Sequence, residues 1–228
     1  MAKIAVITGA SSGISKETTL ALLNNGYKVY GISRTITDIE HSEFVWIEAD
    51  FHETASFSKI GISIFEDHID ALINNAGSAA MNHAILTPAS VMESLVRTNY
   101  LGTFLCCREA ARLMQKTGGR IVNFTTVAVA LSLEGEAAYA ASKGAVETLT
   151  RVLAREFAAY GITVNAVGPT PVATDLIAKV PAEKIQRIVE RQAIHRIGTC
   201  EDVINVMDFF LSPASSFVTG QVLYLGGV

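Results

Sequence analysis

The sequence predicts an α/β fold: a doubly wound parallel sheet of about seven strands, with helices on both faces, forming a single domain. Three observations carry this. Short apolar runs alternate with longer segments of helical period along the whole chain. Several of the runs are continuous rather than alternating, as in strands buried on both faces of a parallel sheet. A β-branched run, a glycine turn and a periodic helix open the chain. Strands are expected near residues 3–7, 28–32, 44–48, 70–74, 120–124, 162–167 and 221–225, and helices near 14–25, 53–65, 89–116, 137–159 and 201–211. Strand and helix in turn build βαβ units. Right-handed crossovers then bring the carboxyl ends of the strands to one edge, where such sheets bind ligands.

Composition narrows the class. A chain of 228 residues suits one large α/β domain and is short for two. Half of it is hydrophobic, enough for a sizeable core, and the net charge of -4 comes without a like-charge block. That balance argues against a nucleic-acid footprint. No apolar run approaches the ~18 residues of a membrane helix. Lys3 precedes an apolar stretch, but that stretch is too short for a signal peptide and runs straight into the glycine turn. Cys106, Cys107 and Cys200 form no Cys-x-x-Cys pair and read as reduced, mostly buried thiols of a cytoplasmic protein. His41, His52, His68, His83 and His195 show no metal-ligand spacing, so no metal is expected. The chain has no internal repeat, low-complexity segment or linker.

Two segments carry chemistry. Thr8-Gly9-Ala10-Ser11-Ser12-Gly13-Ile14-Ser15 joins the first strand to the first helix. That geometry aims backbone N-H groups and a helix N-terminus at a phosphate, with Gly9 supplying the turn and Gly13 the close approach. Standing alone, the segment reads equally as a glycine-rich connection without a ligand. Tyr139 and Lys143 lie i, i+4 in a long periodic stretch, on one face of one helix. A cation held beside a phenol favours the phenolate and moves the acid toward the range of useful proton exchange. Taken singly, such a pair is most often a solvated helix face.

Taken together, the motifs point further. The Thr8-Gly9-x-x-x-Gly13 turn, Asn74-Asn75-Ala76-Gly77, Asn99, Thr125-Thr126, Tyr139-x-x-x-Lys143 and Asn165-Ala166-Val167-Gly168-Pro169 stand in the order and approximate spacing of the short-chain dehydrogenase/reductases. The resemblance runs from Lys3 to Gly227 and is closest to the branch that includes the 3-oxoacyl-acyl-carrier-protein reductases. It implies a Rossmann-type sheet and a nicotinamide cofactor. Cofactor-binding positions carried over by resemblance are Thr8, Gly9, Ser11, Ser12, Gly13 and Ile14 at the turn, and Ser33 and Arg34 after the second strand. Asp50 and Phe51 match the adenine position, and Asn75, Ala76 and Gly77 run beside the adenosine ribose. Tyr139 and Lys143, with Pro169, Thr170, Val172 and Thr174, complete the set.

The resemblance also assigns catalytic roles. Tyr139 is the general acid in reduction and the base in oxidation, Lys143 lowers its pKa and holds the nicotinamide ribose, and Asn99 fixes a water linking Lys143 to solvent. An asparagine that merely bends the helix is the alternative at Asn99. Thr126, thirteen residues before Tyr139, stands where the family carries its substrate-orienting serine, with Thr125 as the neighbouring candidate. Threonine keeps the hydroxyl but its β-branch stiffens χ1.

NADP(H) is expected rather than NAD. A free ribose 2'-hydroxyl calls for an acid roughly 20 residues beyond the glycine turn. Here that position is Ser33, a possible donor, followed by Arg34, whose fork suits a phosphate unless it only solvates a loop. Three further departures stand out: Ser15 replaces the third glycine of the turn, Thr170 the glycine after Pro169, and Tyr160 a basic residue usual in the carrier-protein reductases. Arg108, Arg112, Lys116 and Arg120 leave positive surface nearby.

Residues 170–195, with Pro171, Pro181 and a helical run, are expected to form the substrate lid. The activity expected is interconversion of a ketone and a secondary alcohol by hydride transfer, with a 3-oxoacyl thioester, free or carrier-bound, as the leading substrate. Reduction of a small keto metabolite, steroid-like ketone or keto sugar is one alternative; a cofactor-binding protein with little turnover is another. Apolar positions on the two long helices, among them Leu101, Phe104, Leu105, Ala145, Leu149 and Phe157, exceed what one buried face needs and mark an interface. The resemblance implies that both helices pair across a two-fold axis and that Tyr224 to Val228 pack at a second interface, giving a homotetramer, or a dimer if that second interface is weak.

Overall fold

The computed structural model describes residues 3–51, 68–174, 177–178 and 180–228. Strand β1, Ile4–Thr8, is buried along its whole length and lies inside the sheet, with a strand on either side. Its neighbours in sequence are α1 (Gly13–Asn24), β2 (Lys28–Ser33), β3 (Phe44–Glu48) and β4 (Ala71–Asn74). After β4 come α2 (Ala89–Leu95), a π-helical turn (Val96–Leu101), α3 (Gly102–Met114), β5 (Gly119–Phe124), a short α4 (Val127–Leu131) and α5 (Ala137–Glu156). The chain ends with β6 (Ile162–Gly168), α6 (Ala182–Glu190), α7 (Cys200–Leu211) and β7 (Val222–Tyr224).

All six strand pairings are parallel, in the order β3-β2-β1-β4-β5-β6-β7. The order reverses at β1, between β2 and β4, which is the switch point where open α/β sheets take ligands. Period-2 alternation divides the core between two faces. Ile4 and Val6 pack with Leu72, Ile121, Val164 and the apolar stripes of α3 and α5, including Leu105, Met114 and Leu153. Ala5 and Ile7 turn the other way, onto Val29, Ile73, Val122 and Leu22, Met207 and Phe210 of α1 and α7. Covered on both sides, the central strands have no polar face, which is why they read as continuous apolar runs. β3, at one edge, alternates instead.

The seven expected strands are all present, with ends shifted by a residue or so. The helix expected near 53–65 lies outside the described residues. The helix expected over 89–116 is interrupted. Its middle turn is wound as a π-helix, and the extra residue turns Asn99 inward. Residues 127–131 add a short helix that the periodicity does not announce. Residues 182–190 form the helix expected within 170–195. No helix among the described residues is long and apolar enough to cross a membrane, and none of their acids, cysteines and histidines cluster as a metal site.

Most apolar residues counted as surplus on the two long helices are covered within the single chain. Leu105, Cys106, Ala110, Val146, Leu149 and Leu153 are buried, while Leu101, Phe104 and Phe157 are partly buried against the same core. The helices serve the sheet with one stripe and the π turn with another. The most exposed large apolar side chains lie elsewhere, at Ile85, Leu86 and Phe217.

Candidate active site

The carboxyl ends of the strands open into a cavity of about 1240 Å³. That exceeds the ~300–1,000 Å³ of ordinary small-molecule sites and leaves room for a dinucleotide with a second ligand. Of the residues expected to bind cofactor or substrate, all line this cavity except Thr8 and Asn99.

Those two act from behind. The Thr8 hydroxyl accepts the Ala76 N-H at 3.0 Å, tying the glycine turn to the loop after β4. Asn99 is fully buried; its Oδ1 accepts the Ser78 N-H at 2.9 Å, while Nδ2 donates to Ser78 O and Ser142 Oγ, both at 2.9 Å. Asn99 thus braces the Gly77-Ser78 loop against α5, close to the alternative reading of a backbone-satisfied asparagine. A Cβ on Gly77 would stand 3.2 Å from Asn99 Oδ1 and 3.3 Å from Lys143 Nζ. Only a glycine backbone passes between them.

The glycine turn has the shape of a phosphate cradle. Gly9 and Gly13 hold φ of 80° and 58°, where side chains are strained. A Cβ on Gly9 would press to 3.1 Å from Ala76 Cα. Ser12, at the N-cap of α1, makes no side-chain cap, so the first N-H groups of the helix face the cavity without a protein acceptor there. Ser15 is accommodated at no cost to this shape. Its buried hydroxyl donates to Thr8 O at 3.3 Å and accepts from Asn75 Nδ2, bonds that no glycine could make. Thr170 likewise packs against Gly198 and Gly226.

Ser33 departs from expectation. Its hydroxyl proton goes to Thr35 O at 2.7 Å, and the oxygen accepts Trp46 Nε1-H at 3.0 Å, so it shapes the turn instead of offering a donor. Arg34 is exposed on the cavity wall.

At the inner end stand Thr126, Tyr139 and Lys143. Thr126, two residues beyond β5, caps α4, its hydroxyl accepting Ala128 N-H at 3.2 Å. Thr125 points the other way, giving its proton to Glu147 at 2.8 Å, so the residue facing Tyr139 is Thr126. Lys143 Nζ donates to Phe124 O at 2.9 Å. Burial pushes the Tyr139 phenol up to about 12, opposed by the hydrogen bond from Thr126 and assisted by the Glu136 carboxylate. Burial also holds Lys143 down to about 8. The expected lowering of Tyr139 by Lys143 is therefore not seen in the protein alone: desolvation dominates at Tyr139, and the Lys143 ammonium is turned to the Phe124 carbonyl.

Glu136 and Glu147 belong to none of the motifs, yet both bear on the site. Glu136, one turn before Tyr139, lines the cavity with its carboxyl raised by burial against the pull of Lys184. Glu147 lies beneath the site; a charged residue on the buried stripe of α5, beside Val146 and Thr150, is the signal that could have found it.

A doubly wound sheet with a glycine cradle at its switch point and a Tyr/Lys pair at the cavity's inner end defines a dinucleotide-dependent oxidoreductase. The chain belongs to the short-chain dehydrogenase/reductase family. A family model described as enoyl-(acyl carrier protein) reductase matches residues 9–227. A 3-oxoacyl-[acyl-carrier-protein] reductase from Synechocystis sp. is 34% identical, over 99% of this chain and 96% of that protein. An NADPH-dependent aldehyde reductase 2, chloroplastic, from Arabidopsis thaliana is 28% identical over 99% and 93%. Among solved structures, ElxO with NADP bound superimposes with a TM-score of 0.90 at 28% identity, covering 99% of this chain and 97% of that one.

Proposed function

We propose that this protein is an NADP(H)-dependent reductase that converts a ketone to a secondary alcohol, with a 3-oxoacyl thioester as the leading substrate. The convergence of the Thr126 and Tyr139 hydroxyls with Lys143 on one large cavity carries the reading. A bound nicotinamide would supply or accept a hydride at the carbonyl carbon. The chain's own residues manage the oxygen. Thr126 donates a hydrogen bond to it, Tyr139 gives it a proton, and Lys143 favours the phenolate left behind. The raised pKa of Tyr139 means that the proton is in place at neutral pH. In this reading the described residues of the 170–195 stretch serve as the lid, and Ile185 and Ile188 of α6 give the outer cavity an apolar wall suited to an acyl arm.

The choice of a thioester follows the relatives' names. The carrier-protein form has less support: Arg108 and Arg112 both pair with Glu109 at 2.8 Å, which spends part of the positive patch. The aldehyde-reductase relative keeps a small carbonyl as the second reading. NADPH oxidation followed with 3-oxoacyl thioesters, enoyl thioesters, small ketones and aldehydes tests the proposal. Turnover of the first class supports it. Tight NADPH binding with no carbonyl turned over would favour a binding protein instead.

Arg34 is the proposed reader of the 2'-phosphate. Arg34→Ala should weaken NADPH by about 1.5 kcal/mol, the low end for a charge-assisted contact because the side chain is exposed, and leave NADH nearly unchanged. Equal loss for both cofactors, measured by fluorescence titration, would remove that role. We also infer a cytoplasmic homo-oligomer, a tetramer if the half-buried C-terminal strand joins exposed Phe209 and Phe217 at a second interface. Light scattering at micromolar concentration should then give about four times 24.4 kDa. A fully active monomer would rule it out.

A further inference from the structure

Glu147 touches neither the cavity nor its contents. It sits one turn beyond Lys143 and two beyond Tyr139, on the stripe of α5 that packs against the sheet, with 7% of its surface exposed. A carboxylate in such a place is costly unless several partners meet it. Arg151, the cation paired with it among the described residues, is half exposed and stands 3.6 Å from Oε2. The closer partners of Glu147 are two hydroxyls from separate stretches of the chain. Oε1 accepts from Thr125 Oγ1 at 2.8 Å and from the phenol of Tyr224 in β7.

Thr125 is the middle residue of a three-residue segment, and each member of it is tied to a different part of α5 or its surroundings. Phe124 O accepts a hydrogen bond from Lys143 Nζ at 2.9 Å. Thr125 Oγ1 bonds Glu147 and also reaches Lys143 O at 3.4 Å. Thr126 turns its hydroxyl toward Tyr139. The first and third ties set the surroundings of the proton-transfer pair, and the second holds the strand end that carries both. A leucine at 147 would suit an apolar stripe and would leave the sheet covered, yet it would release that strand end. We propose that Glu147 is a positioning residue for Tyr139 and Lys143, acting through Thr125. This rests on the reductase reading above.

The test compares Thr125→Val, Glu147→Leu and Glu147→Gln in the full chain. Valine and leucine remove the tie; glutamine keeps an oxygen that can accept both hydroxyls. Displacing reacting groups by about an ångström costs up to about 100-fold. Thr125→Val and Glu147→Leu should therefore lower kcat by about tenfold or more, with the KM for NADPH within about twofold. The pH at which the Tyr139 phenol ionises should move in both, because the Thr126 hydroxyl that faces it is displaced while Glu136, the carboxylate that also faces it, stays in place. Glu147→Gln should restore kcat to within about threefold of the parent. Unchanged kcat in Thr125→Val, or a folded Glu147→Gln as damaged as Glu147→Leu, overturns the proposal. Should Glu147→Leu fail to fold, Thr125→Val decides. Should the parent turn over no carbonyl, the reductase reading fails by itself. The phenolate absorbance of Tyr139, taken as parent minus Tyr139→Phe, then decides: a shift in Thr125→Val supports positioning, and none refutes it.

Discussion

Tyr139→Phe is expected to lower ketone reduction by about 100-fold or more while NADPH still binds. The ring remains to wall the cavity, and only the transferable proton goes. Stopped-flow or steady-state turnover checks the rate, and cofactor fluorescence checks binding. Turnover within a few-fold of the parent would remove Tyr139 from the chemistry. The same pair sets the pH dependence. With burial raising Tyr139 to about 12 and lowering Lys143 to about 8, the neutral-pH state is phenol beside ammonium. Reduction uses that protonated acid, so its rate should be level near neutrality and fall as pH rises through about 8, where Lys143 loses its charge. Alcohol oxidation needs the phenolate and should rise with pH.

Thr126→Val is expected to cost about 100-fold in kcat, comparable with losing one donor from an oxyanion site, whereas Thr126→Ser retains activity. Valine matches threonine in shape but gives neither hydrogen bond. The hydroxyl also caps α4 through Ala128 N-H, so the valine variant should lose about 1 kcal/mol of stability as well. Thermal unfolding separates the two effects. A drop of roughly 2–4 °C in Tm accompanies the lost cap and cannot by itself account for the lost rate. Full activity in Thr126→Val would show that another group orients the carbonyl.

The strands, the parallel sheet, the glycine cradle and the Tyr139/Lys143 pair were legible in the sequence because each rests on local rules. Continuous apolar runs mark strands covered on both faces, and positive-φ turns select glycine at 9 and 13. An i, i+4 spacing puts two side chains on one helix face whatever the rest of the chain does. These features are properties of neighbours along the chain.

What surrounds that pair was decided only by the tertiary structure. Thr125 and Thr126 are indistinguishable by type; the end of β5 sends one to Glu147 and the other to Tyr139. Asn99 is a site residue by motif, and the π turn decides that its side chain meets Ser78 and Ser142 instead of lining the cavity. Ser33 looked like a phosphate donor, yet Trp46 of β3 and Thr35 O occupy its hydroxyl. Spacing carried the expectation that Lys143 would lower Tyr139, but in the folded chain desolvation dominates and Phe124 O holds the ammonium. The physical reason is common to all four. A polar side chain's role depends on which partner reaches it first, and apart from Thr35, two residues from Ser33, those partners lie 13 to 43 residues away along the chain.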